Sequence, residues 1–162
     1  MISEESDFIA LCDQTLIGYI KFNGEGQPPS KEIGLLYDGY IMPRRENLGD
    51  SDQAQWEIGL DGKPADPWQH QIMLVLQNEE TAELVAFAAT SKSGRRSAAT
   101  LLQHYRRSQR THPGTLPIVE LVSGSYKHER YGSVSIPIFK PVGMTSADKA
   151  AKPDNFDDSI PF

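Results

Sequence analysis

Two short apolar runs on either side of a polar turn constrain this chain more than any other feature. Gln71-Ile-Met-Leu-Val-Leu-Gln and Glu83-Leu-Val-Ala-Phe-Ala-Ala-Thr flank Asn78-Glu-Glu-Thr-Ala. Runs of this length, rich in strand formers and joined by a turn, predict a β-hairpin with both strands in the core. They are too short to cross a bilayer as helices, and the acidic start Met1-Ile2-Ser3-Glu4-Glu5 does not read as a signal peptide. The expectation is a soluble cytoplasmic protein with no membrane contact. A chain of 162 residues, 38% of them hydrophobic, suffices for one core of ordinary size.

The segments around the hairpin extend the pattern. Gly34 to Met42 is rich in strand formers and is closed by Pro43 and the polar stretch from Glu46 to Gln53, and Trp56 to Leu60 reads as a second short strand ended by Asp61-Gly62. Asp7 to Ile20 is open to either a helix or an extra strand, and Asn23 to Pro29 is a loop. Ala98, Leu101, Leu102 and Tyr105 recur at helical spacing, which predicts a helix from Gly94 to Gln109, stopped by His112-Pro113-Gly114. Leu116 to Lys127 and Tyr131 to Pro141 then read as a second hairpin. The resulting order, with one helix before the last two strands, suits a mainly β fold of the five-stranded oligonucleotide-binding (OB) barrel type, an order other α+β layouts share. Residues 1–144 are expected to form this domain, with 1–30 an extension of undecided structure. From Thr145 the chain lacks large apolar residues, so 145–162 are expected to be a disordered acidic tail, a flexible linker followed by a tip.

The formal charge of −6 argues at first against a nucleic-acid partner. The average hides a segregation. Residues 1–91 hold 16 acids and 5 bases, residues 92–152 hold 11 bases and 3 acids, and the last ten residues hold 3 acids. A basic second half and an acidic tail are compatible with a polyanion surface, as they are with a solvated charged face balanced by its neighbours. Binding of single strands without sequence preference needs bases for the phosphates and aromatic platforms for the nucleobases. The candidates are Arg44, Arg45, Trp68, Lys92, Arg95, Arg96, Tyr126, Lys127, Arg130 and Tyr131, with Tyr37, Tyr40 and Trp56 as further aromatic candidates, of which Tyr37 and Trp56 read first as core residues.

Signs of catalysis are weak. Cys12 has no disulfide partner and reads as a small core residue, and the four histidines lack metal-ligand spacing. Gly59-Leu-Asp-Gly62-Lys63 lacks the spacing of a phosphate loop, and no Ser, His and Asp set suggests a triad. No cofactor, no metal and no enzymatic activity are expected.

The chain ends in Asp154-Asn155-Phe156-Asp157-Asp158-Ser159-Ile160-Pro161-Phe162. Acids followed by a compact apolar terminus suit docking into a basic-rimmed pocket, with Phe162 supplying buried area and Pro161 lowering the ordering cost. This ending resembles the acidic tip of bacterial single-stranded DNA-binding proteins through Phe156, Asp157, Asp158, Ile160, Pro161 and Phe162. Asn155 and Ser159 depart from it, standing where the family often has acids, and the linker is shorter than the family's. The resemblance covers about nine residues, and the body does not align with the bacterial domain. It implies a protein that coats single-stranded DNA and recruits replication, recombination and repair proteins through Asp157, Asp158, Ile160, Pro161 and Phe162; such a tip on an unfamiliar body suits a phage or prophage origin, and a homo-oligomer is compatible with it. The alternatives are an adaptor that mimics the tip without binding DNA and, further off, a metal-dependent nuclease recruited to DNA.

Overall fold

The structure is a computed structural model that describes residues 7–128 and 132–149. Its elements are β1 (Asp7–Ala10), β2 (Leu16–Lys21), β3 (Ser30–Leu35), β4 (Trp68–Asn78), β5 (Leu84–Ala89), α1 (Lys92–Thr111), β6 (Thr115–His128) and β7 (Gly132–Ser146), linked in part by short 3-10 turns. The fold is mainly β, with one helix. The seven strands form one antiparallel sheet in the order β3-β2-β4-β1-β6-β7, and β5 pairs with β4.

The expected hairpin is present as β4 and β5, and β4 organises the sheet. β1 and β2 lie end to end along it: Phe8 to Ala10 face Asn78 to Leu76, and Leu16 to Lys21 face Met73 to Trp68. Between them the chain turns at Leu11 to Thr15, and hydrogen bonds tie the turn to its neighbours. The Leu11 N–H donates to the Val75 carbonyl at 2.9 Å, the Thr15 hydroxyl donates to the Cys12 carbonyl at 2.7 Å, and the Leu36 N–H donates to the Thr15 carbonyl at 2.9 Å. Asp7 to Ile20 is therefore strand, interrupted once. Its apolar residues divide between two sides, Phe8 and Ala10 in the main core, Ile9 and Leu11 in a smaller cluster with Val75 and Leu116.

The main core forms where α1 lays Ala98, Leu101 and Leu102 against Phe8, Ile72, Leu74, Leu76, Val119 and Phe139. The helix runs two residues beyond the expected span at each end. Ser91 caps it, its hydroxyl accepting the Gly94 N–H at 3.1 Å.

Three expectations are corrected. The strand expected from Gly34 to Met42 is instead Ser30–Leu35, because the chain turns back after Leu35 and lays the Tyr40 ring against Gly34, where a Cβ would overlap it. Trp56 to Leu60 forms no strand; Ile58 makes a single bridge to Pro64. The five-stranded closed barrel is not formed. The sheet has seven strands, and no ladder joins β5 to β7 among the described residues. Across that gap the Phe87 and Phe139 rings meet edge to face, centroids 5.1 Å apart.

At the C-terminal side β7 continues to Ser146 and a 3-10 turn covers Ala147–Lys149, past the expected boundary at residue 144. The linker beyond residue 149, the tip residues Asp157, Asp158, Ile160, Pro161 and Phe162, and the candidates Arg130 and Tyr131 lie outside the described residues. Among the described residues no helix is long and apolar enough to cross a membrane.

Candidate nucleic-acid interface

Alternation along β4 sends Ile72, Leu74 and Leu76 into the core under α1. The same face continues beyond the start of the helix as His70 and Trp68, where the strand runs out of helix to cover it. Cross-strand pairing sets Tyr19 beside His70 and Lys21 beside Trp68. The Tyr19 and His70 rings lie 5.8 Å apart, and the Lys21 ammonium stands 6.0 Å from the Trp68 ring centre.

The long connection from β3 to β4 is tied back onto this end. The Arg45 guanidinium grips both Asp66 oxygens at 2.7 Å and donates to the Gly49 and Asp50 carbonyls. Asp50 is the hub. Its carboxylate accepts from Lys21 Nζ at 2.9 Å and from Trp68 Nε1 at 3.0 Å, and its carbonyl accepts from Trp56 Nε1 at 2.6 Å. Asp50 adopts φ 52°, a conformation that costs a non-glycine residue about 1 kcal/mol and that the four contacts hold in place.

The charges respond to these contacts. Hydrogen bonds from Lys21 and then Trp68 hold Asp50 below the usual carboxylate range. Partial burial pushes Asp66 upward, but the Arg45 hydrogen bond and the Trp68 backbone N–H outweigh it and leave Asp66 low as well.

Two clefts open on this region. The larger, about 630 Å³, is bounded by Lys21, Phe22, Trp56 and Gln69 and by the carboxylates of Asp50, Asp52, Glu57 and Asp66. The smaller, about 190 Å³, lies on the side of β4 that carries Gln71 and is lined by Ile20, Phe22, Pro29, Lys31, Gln71, Ala88 and Thr90. Phe22, 61% exposed, borders both.

The fold thus gathers Arg45, Trp56 and Trp68 from the sequence candidates and adds Lys21, Phe22 and Asp50. Arg95, in the first turn of α1, is close by, with its Nη1 2.8 Å from His70 Nδ1. Arg44 is exposed before a 3-10 turn, and Lys92 and Arg96 lie exposed on α1. Tyr126 and Lys127 lie in β6, in the long ribbon with β7. Tyr37 and Tyr40 stand apart from the clefts, Tyr37 against Tyr105 and Tyr40 against Gly34. The α1 sequence carries Lys92, Arg95, Arg96, Arg106, Arg107 and Arg110 without one acid, and none of them is ion-paired among the described residues. Phe22 and Lys21 were missed because they close an otherwise ordinary strand. Their one sequence signal is position, at the last residues before a Gly- and Pro-rich loop.

No family model, curated protein or solved structure matches this chain.

Proposed function

We propose that this protein binds single-stranded DNA without strong sequence preference and uses its C-terminal tip to recruit replication, recombination or repair proteins. One observation carries the reading: two tryptophans, an exposed phenylalanine, Lys21 and Arg45, scattered over 48 positions of sequence, converge at one end of the sheet beside an all-basic helix start. Stacked aromatics with cations at their edges are what non-specific single-strand binding requires.

The order of pairing supports it. With β1 and β2 taken as one bent strand, that strand pairs with β4, β4 with β5, the helix follows, and β6 pairs with both the first strand and β7. We read this as an open relative of the OB barrel, with residues 22–67 as the connection between its first two strands. Such barrels bind oligonucleotides on the face of their second and third strands, which correspond to β4 and β5.

The adaptor reading has its own support, since Lys21 and Arg45 are both engaged by carboxylates. Fluorescence titration of the full chain and of residues 1–153 with oligo-dT separates the two. The expected result is quenching of tryptophan emission by both forms, weakening as salt rises, with capture of a recruited protein by the full chain alone. Absence of salt-dependent binding by either form overturns the DNA-binding reading, and capture retained without residues 154–162 overturns the role of the tip.

A further inference from the structure

Helix α1 turns a stripe of cations to solvent. At 3.6 residues per turn, Lys92, Arg96, Arg106 and Arg110 fall within about 80° of arc, away from the buried Ala98, Leu101 and Leu102, and all four are exposed. The stripe runs about 27 Å along the axis at 1.5 Å per residue, with Arg95 and Arg107 on its flanks and the neutral Ala99 and Gln103 in its middle.

Helix stability does not account for this stripe. Lys92 with Arg96, and Arg106 with Arg110, set like charges four residues apart, and Lys92, Arg95 and Arg96 sit at the positive end of the helix dipole; both arrangements are unfavourable. No acid in the helix relieves them, and none of these bases is ion-paired among the described residues. In the larger cleft, by contrast, Lys21 and Arg45 are each held by a carboxylate. The unneutralised positive charge near the aromatic cluster is therefore on α1.

Aromatic rings lie beside the stripe at two places. At its start, Arg95 reaches His70, which follows Trp68 on the same face of β4 and lies beside Tyr19. Three turns on, the Arg106 guanidinium stands 6.0 Å from the centre of the Tyr37 ring. Tyr37 is 38% exposed, and its ring leans edge to face on the half-buried Tyr105, centroids 5.5 Å apart, which anchors the ring and leaves part of it open. A row of unpaired cations suits phosphates, and an anchored, open ring with a cation beside it suits a nucleobase.

We propose that the bound strand leaves the Trp68 end of the sheet along α1, its phosphates following Lys92, Arg96, Arg106 and Arg110 and one base stacking on Tyr37. The proposal rests on the single-strand reading above and adds to it the route of the backbone.

The test titrates the full chain with oligo-dT over a series of salt concentrations. Beside it run the double variant Arg106→Gln/Arg110→Gln, the control Lys63→Gln/Lys140→Gln, which removes the same charge elsewhere, and Tyr37→Leu. All four charge changes are at exposed positions, where folding is not at risk. The arginine pair should lower the slope of log K against log salt by about 1.4, two contacts at roughly 0.7 each, and the control should leave it unchanged. Tyr37→Leu, which keeps an apolar cover on Tyr105, should weaken binding about 5- to 150-fold with the slope unchanged. An unchanged slope in the arginine pair overturns the α1 route and leaves the single-strand reading standing, as expected if the stripe faces an acidic protein segment instead. An equal drop in the control does the same, since the response would then be to net charge. Undiminished binding by Tyr37→Leu overturns the stacking platform. A wild type that shows no salt-dependent binding overturns both the route and the reading beneath it.

Discussion

Arg95 reads in the sequence as a candidate base for phosphates near the start of a helix, and its guanidinium ends 2.8 Å from His70 Nδ1. A guanidinium has only donors, so Nδ1 must accept and the neutral ring carries its proton on Nε2. Burial, and then the charge of Arg95, hold His70 below its ordinary value of 6.5. Because the folded-state value is lowered, this contribution to stability is complete above pH 6.5 and is lost as pH falls through the lower value. Replacing Arg95 by Ala should move the His70 midpoint upward in an NMR titration. A midpoint that stays put would mean that burial alone sets it. The cysteine follows the same logic: burial, reinforced by Asp13, pushes the Cys12 thiol up and leaves it a core residue, as its sequence context suggested.

At the scale of elements, legibility followed the strength of local periodicity. The β4–β5 hairpin and α1 were readable because their apolar residues repeat at strand and helix spacing over six or more positions. β3 was misplaced because Tyr37, Tyr40 and Ile41 are strand formers that serve a turn here, with Tyr40 covering Gly34. The helix start was also missed, since nothing in Ser91-Lys92-Ser93 repeats; the cap is one hydroxyl on one N–H. Ser91→Ala should cost about 1 kcal/mol. In a domain of this size that lowers the melting temperature by roughly 2–4 °C, readable by calorimetry, whereas Ser93→Ala, which removes no cap, should leave it unchanged.

Across the whole molecule, no ladder closes the sheet between β5 and β7 among the described residues, and the Phe87 and Phe139 rings meet across the gap. Phe139 is 6% exposed and also belongs to the core beneath α1. Truncating it to Ala should cost about 3–5 kcal/mol in urea unfolding. A cost below about 1 kcal/mol would show that the seam is held by something else. The charge segregation has a spatial counterpart: carboxylates from the acidic first half, Asp50, Asp52, Glu57 and Asp66, border the larger cleft, while α1 carries bases only.

The sequence by itself determined the β-rich class, the hairpins, the helix and the separation of charge, because these depend on periodicity and composition within short windows. Which aromatics and cations meet was decided only by the tertiary structure. Lys21, Asp50, Trp56 and Trp68 come together through strand register and a long connection tied back by Arg45 and Asp66, and no local pattern encodes where such a connection returns.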